Sequence, residues 1–142
     1  MSDNDVEAMK AWNQQIIDEF RANAGVVGGL FEGQMMALVT TTGAKTGRRH
    51  TTPLVAGPAG EHVYVIASAG GSPSDPAWYR NLLVNPQVTV EVGAESYEAV
   101  ARTAEEPQRT ELYAAMVARM PQFAGYQEGN PRTIPVVILE RA

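Results

Sequence analysis

Apolar residues recur every three or four positions near the start of the chain, and this spacing predicts an amphipathic helix between Val6 and Asn23. The repeating positions are Val6, Met9, Trp12, Ile16, Ile17 and Phe20. A second helix is predicted from Pro107 to Met120, with the proline near its first turn. We expect the N-terminal helix to pack its apolar face on the remainder of the domain.

Short apolar and β-branched runs, separated by turn residues, predict about six strands elsewhere. These strands are residues 35–41, 49–56, 62–67, 88–92, 97–103 and 133–139. Turn residues at 57–61 and 93–96 indicate two hairpins. The pattern predicts an α+β, mainly β fold: a mostly antiparallel sheet or small barrel with two or three helices packed outside. A Rossmann fold is disfavoured because strand and helix units do not alternate.

Composition limits the class of protein. The chain has 142 residues, of which 44% are apolar, 19% are charged and none is cysteine. This length fits a single domain, which we divide into an N-terminal helix at 1–24 and a barrel at 25–142. The absence of cysteine excludes disulfides, thiolate metal sites and a cysteine nucleophile. The two histidines are far apart in the sequence, so we expect no metal site. The acidic start, Met1 to Asp5, does not resemble a secretory signal, so we expect a cytoplasmic location.

A basic loop follows the first predicted strand. Lys45, Arg48, Arg49 and His50 fall within six residues of a chain whose formal net charge is -5. Because the positive charge is local, it favours a small anionic ligand over a long nucleic acid. The loop's glycines, including Gly47, would leave main-chain N–H groups free to point at that ligand. The glycine spacing is not that of a Walker A loop, and a solvated hairpin turn remains the alternative.

Several separated motifs resemble the deazaflavin-dependent nitroreductase family. They are residues 19–23, 27–29, 31–33, 40–54, 67–71, 76–82 (Pro-Ala-Trp-Tyr-Arg-Asn-Leu), 85–86 and 132–135 (Arg-Thr-Ile-Pro). The resemblance spans about residues 12–140. It implies a split β-barrel that binds coenzyme F420, a deazaflavin with a phosphate and an oligoglutamate tail. It also implies an F420H2-dependent reductase, which transfers a hydride to an electron-poor acceptor such as a quinone, enone or nitroaromatic.

The resemblance further implies which residues line the cofactor. The loop and the strand after it contribute Ala44, Lys45, Thr46, Arg48, Arg49, His50, Thr51, Thr52, Pro53, Leu54 and Val55. Two further walls are formed by Ile66, Ala67, Ser68 and Ala69, and by Ala77, Trp78, Tyr79, Arg80 and Asn81, with Phe123 near the substrate. His50 and Ala69 stand where the family often has arginine and lysine, which leaves fewer permanent cations for the tail.

Three hydroxyl groups are candidate proton donors or substrate contacts: those of Tyr126, Ser68 and Tyr79. A donor is useful because hydride addition to a quinone, enone or nitro group builds negative charge on oxygen. Two alternatives remain open, a split-barrel oxidoreductase that uses FMN and a non-catalytic carrier or sensor of F420. We expect a small-molecule substrate, no nucleic-acid partner and either a monomer or a homodimer. Contact with a membrane surface is a minor alternative.

Overall fold

Six antiparallel strands close into a barrel in the computed structural model, which describes the backbone of residues 3–142 and the side chains of residues 7–142. The strands are β1 (Met36–Thr42), β2 (Arg49–Ala59), β3 (His62–Ile66), β4 (Gln87–Val92), β5 (Glu95–Thr103) and β6 (Val136–Arg141). Their order around the barrel is β1-β2-β3-β6-β5-β4, and β4 pairs again with β1. The expected α+β barrel is confirmed, although helices and strands hold similar numbers of residues and the fold is not mainly β. Met1, Ser2 and the side chains of the acidic start and of Val6 lie outside the described residues.

Side chains alternate between the two faces of β1, and both faces are covered. Ala37 and Val39 are fully buried inside the barrel, where they pack with Val88 and Val90 of β4. Leu38 is fully buried on the outer face, in a cluster with the first helix. A strand buried on both faces has a continuous apolar run, which is the pattern found at this position in the sequence.

Within residues 3–142, four α-helices pack around the barrel: α1 (Asp3–Ala22), α2 (Ala77–Val84), α3 (Gln108–Arg119) and α4 (Gln122–Gln127). α1 covers the outer face of β1 with Ile16, Ile17 and Phe20. α3 and α4 cover a different outer face, and α2 packs its buried side chains into the cluster that fills the barrel. No helix within residues 3–142 combines the length and apolar character needed to cross a bilayer.

The first hairpin turn is shorter than predicted. β2 continues through Gly57 and Pro58, and Ala59 pairs directly with His62. Proline is tolerated at position 58 because its missing N–H would point to the edge of β2 that lies beyond the start of β1. The prediction that residues 57–61 form the turn was therefore wrong for its first three residues.

Candidate functional site

The first half of β2 has a strand neighbour on one edge only. Residues 49–55 pair with β1, whereas β3 pairs with β2 only from Ala56 to Ala59. The unpaired edge of residues 49–55 is called the open edge below. It is a gap in the barrel wall, at the end where β3 finishes at Ile66.

The pairing pattern sets which main-chain groups face the open edge. The N–H of Ala56 donates to the carbonyl of Met35 over 2.9 Å, so Ala56 faces β1. Alternation along an antiparallel strand then turns the main-chain groups of Thr51, Pro53 and Val55 toward the open edge. Pro53 breaks no ladder hydrogen bond there. The N–H groups of Thr51 and Val55 are therefore directed away from β1, into the gap in the barrel wall.

The basic loop between β1 and β2 has a fixed position relative to α2. The N–H of Ala44 donates to Oδ1 of Asn81 over 3.0 Å, and Nδ2 of Asn81 donates to the hydroxyl of the fully buried Thr41 over 3.4 Å. Gly47 has a φ of +71°, and a Cβ added there would meet no atom within 4 Å. The loop is thus held in place on one side and open on the other.

The basic residues of the loop fall into two groups. Lys45, Arg48 and His50 are exposed, and none of them forms a salt bridge with a described carboxylate. Arg49 lies on the outer face of the barrel, where its guanidinium donates to the hydroxyls of Thr42 (3.0 Å) and Thr89 (2.6 Å). The structure therefore separates Arg49 from the predicted cluster and leaves three uncompensated basic groups.

Apolar side chains predicted to line the cofactor belong to two buried clusters, which meet β2 on opposite faces. Leu54, Ala67 and Trp78 belong to one buried cluster with the barrel interior. Ile66, Phe123, Val55 and Tyr126 belong to a second cluster, in which the rings of Phe123 and Tyr126 meet edge to face with centroids 5.1 Å apart. The predicted lining residues, although far apart in the sequence, are thus divided between the barrel interior and one cluster on its outer face.

The three candidate hydroxyls do not lie together. The hydroxyl of Tyr79 shares a hydrogen bond with that of Thr103 over 3.0 Å, and Tyr79 is buried in the barrel interior. Ser68 directly follows the wall of Ile66 and Ala67, and Tyr126 packs against Gly71 in the same loop. Among described residues, neither Ser68 nor Tyr126 has a hydrogen-bond partner for its hydroxyl, and neither oxygen is fully buried. Ser68 and Tyr126 are therefore the hydroxyls that a ligand could reach.

The remaining predicted residues have mixed positions. The hydroxyl of Thr46 accepts the N–H of Arg48, and the hydroxyl of Thr51 pairs with that of Thr40. The guanidinium of Arg80 donates to a main-chain carbonyl in the turn before α2. Residues without a side-chain polar contact here are Thr52 and Pro53, half-buried on β2, and Ala69 and Ala77, both exposed.

Tyr113 of α3 holds the adjacent α4 in place. Its hydroxyl donates to the carbonyl of Phe123, and their rings also meet edge to face, with centroids 6.5 Å apart. Burial raises the pKa of Tyr113, so the phenol stays protonated and remains a donor over the physiological range. The position of Phe123 in the apolar wall is thereby fixed.

Sequence reasoning missed Arg132 as a site residue. Its guanidinium donates to three main-chain carbonyls and to Asp75, in the loop that carries Ser68. These partners lie 57 to 65 residues away in the sequence. No local pattern reveals such contacts, and the only signal was the presence of Arg132 in the family-like motif at 132–135.

Three comparisons agree on the relatives of this chain. The family profile described as F420H(2)-dependent quinone reductase matches residues 12–141. An F420H(2)-dependent quinone reductase of Mycobacterium tuberculosis H37Rv is 33% identical over 126 residues, which cover 86% of this chain and 85% of that protein.

Solved structures give the same grouping. An F420-H2 dependent reductase has a TM-score of 0.68 and 37% identity, and the match covers 74% of this chain and 93% of that one. A protein described as a domain-swapped dimer has a TM-score of 0.70 and 30% identity, and the match covers 95% of this chain and 98% of that one.

Proposed function

The chain belongs to the F420H(2)-dependent quinone reductase family, and we propose that it binds coenzyme F420 at the open edge of β2 and delivers a hydride from there to a quinone. Membership makes the protein an oxidoreductase with F420 as its cofactor. The observation that carries the proposed site is the group of uncompensated cations beside main-chain N–H groups that lack a strand partner.

The donor groups around the open edge fit the cofactor's anionic side chain. Lys45 and Arg48 are exposed cations without a described carboxylate partner. Ammonium and guanidinium groups form short charge-assisted hydrogen bonds with phosphate and carboxylate oxygens. The open space beside Gly47 lets such a group approach the loop backbone closely. We therefore assign the phosphate and tail to the loop, with Lys45 as the principal contact.

The ring system is assigned to the apolar walls. Bound in its reduced form, the cofactor supplies the hydride. Leu54, Trp78 and Phe123 exclude water from the ring and keep it in one orientation, which raises the probability of a reactive encounter. A planar, largely apolar acceptor such as a quinone suits walls of this character.

The proton that completes the reduction is assigned to Ser68 or Tyr126. Hydride addition to a quinone carbonyl leaves an oxyanion, which a nearby hydroxyl stabilises and protonates. Ser68 lies in the loop after β3, Tyr126 of α4 packs against Gly71 of that loop, and neither hydroxyl oxygen is fully buried. Tyr79 is not retained in this role because its hydroxyl is occupied by Thr103 inside the barrel.

Two measurements test the proposed function. Titration of the purified protein into F420 should quench the cofactor's fluorescence, and mixing with F420H2 and menadione should restore the absorbance of the oxidised cofactor at a rate that depends on enzyme concentration. Binding without turnover would instead indicate a carrier or sensor. Retention of yellow FMN through purification, with no response to F420, would indicate an FMN enzyme.

A further inference from the structure

Arg132 lies before β6 and reaches back across the end of the barrel to the loop that carries Ser68. Its side chain is only 14% exposed. The guanidinium donates to the carbonyls of Ala67 (3.1 Å), Ser68 (3.0 Å) and Ser72 (3.0 Å). One planar guanidinium thus binds three main-chain carbonyls within residues 67–72, a geometry that a lysine ammonium cannot reproduce.

Two neighbouring residues keep Arg132 itself in place. The carboxylate of Asp75 accepts from the guanidinium over 3.0 Å. The side-chain oxygen of Asn130 accepts the main-chain N–H of Arg132 over 3.1 Å, and its amide nitrogen donates to the carbonyls of Gly71 and Ser72. The loop and the segment before β6 are therefore one hydrogen-bonded unit.

The contacts of Arg132 fix the direction of the Ser68 side chain. The carbonyls of Ala67 and Ser68 belong to the two peptide planes that flank the Cα of Ser68, and both are bound to the same guanidinium. Because each peptide is planar, anchoring both carbonyls determines the φ and ψ of Ser68 and hence its Cα–Cβ direction. The next residue, Ala69, has a φ of +48°. A residue with a Cβ rarely adopts this left-handed conformation without outside contacts.

We propose that Arg132 is a positioning residue for hydride transfer: it holds residues 67–72 so that the hydroxyl of Ser68 faces the acceptor oxygen. The inference rests on the proposed function, since it needs a bound acceptor beside Ser68. Arg132 touches neither the cofactor nor the acceptor in this arrangement and acts only through the loop. Its charge is balanced by Asp75, so the effect is one of geometry.

The test is a double-mutant cycle between Arg132→Lys and Ser68→Ala. Arg132→Lys keeps the charge but loses the planar set of N–H donors. The value of kcat/KM for menadione should therefore fall about 10- to 100-fold, mainly through kcat. In the Arg132→Lys background, Ser68→Ala should cause little additional loss, because the hydroxyl is already misplaced. The Kd for F420, measured by fluorescence quenching, should change less than threefold.

Arg119→Lys is the matched control. Arg119 also has a part-buried guanidinium bonded to a carbonyl, that of Ala56, and to the hydroxyl of Tyr64. Arg119→Lys should lower Tm without lowering kcat at temperatures below the unfolding transition.

Three results would overturn the inference: a wild-type kcat in Arg132→Lys, additive effects of the two substitutions in the cycle, or equal losses of kcat in both arginine variants. A wild-type protein that neither binds F420 nor oxidises F420H2 would overturn the proposed function, and this inference with it.

Discussion

The main-chain N–H of Ala44 donates to the side-chain oxygen of Asn81 over 3.0 Å, and this hydrogen bond joins the basic loop to α2. Asn81→Ala should release the loop and weaken F420 binding by about 1 kcal/mol, the typical net value of one hydrogen bond. Fluorescence titration measures the change. Asn23→Ala, which removes a similar bond at the end of α1, should leave the Kd unaltered. Equal Kd values for both variants would mean that the loop needs no anchor.

Lys45 is expected to provide a charge-assisted hydrogen bond to the anionic side chain of F420. Lys45→Ala should weaken binding by about 1.5–3 kcal/mol, and the loss should shrink as salt screens the interaction. The control is Lys10→Ala, because Lys10 is an exposed residue of α1 that pairs with Glu7 at 3.9 Å. An unchanged dissociation constant for Lys45→Ala at low salt would remove this residue from the site.

Tyr126 and Tyr79 differ in whether a ligand can reach their hydroxyls. If Tyr126 rather than Ser68 is the proton donor, Tyr126→Phe should lower kcat for menadione by at least about 100-fold, the lower end of the usual contribution of general acid catalysis. Tyr79→Phe should leave kcat intact and reduce the free energy of unfolding by about 1 kcal/mol through loss of the bond to Thr103. Steady-state kinetics and chemical denaturation separate the two effects. The reverse result would place Tyr79, not Tyr126, at the acceptor.

Gly57 permits a close approach between β2 and its neighbours. A Cβ at this position would lie 2.5 Å from Cε1 of the fully buried Tyr64 and would also clash with the guanidinium of Arg119. Gly57→Ala should therefore reduce the free energy of unfolding by about 1–3 kcal/mol, as expected for overpacking. Gly125→Ala in α4, where a Cβ meets nothing within 4 Å, should be neutral or slightly stabilising. Equal denaturation midpoints would contradict the packing argument.

Glu106 caps the start of α3. Hydrogen bonds from the hydroxyl and the main-chain N–H of Thr110 hold the pKa of Glu106 below its ordinary value of 4.5. A carboxylate with a lowered folded pKa stabilises the protein above 4.5 and loses this contribution as the pH falls through the folded value. Tm should therefore decline less steeply below pH 4.5 in Glu106→Gln than in the wild type. Equal slopes of Tm against pH below pH 4.5 for the two proteins would show that these hydrogen bonds of Glu106 do not stabilise the fold.

The sequence predicts best those features that depend on near neighbours. The period of Ile16, Ile17 and Phe20 identifies α1 because one helix face repeats within a few residues. α2 and α4 were not located, since 8 and 6 residues are too short for a clear period.

Features that depend on strand register or distant contacts were predicted less well. Arg49 was grouped with Lys45, Arg48 and His50, but it faces Thr42 and Thr89, because strand alternation places it on the face of the sheet opposite to that of His50. Arg132 was missed because all four of its guanidinium acceptors are distant in the sequence. Burial of Tyr79 likewise follows from the barrel's closure, which no local pattern reports.

The gap beside β2 has a second consequence, for association between copies of the protein. A strand edge without a neighbour is a template on which a foreign strand can add, and native proteins interrupt such edges with proline and charge. Pro53 removes one donor from this row, and Lys45 and Arg48 place repelling charges at its end. F420 bound at this edge, as proposed above, would cover what remains of the row, and the coenzyme-free protein would then be the form more prone to edge-to-edge aggregation.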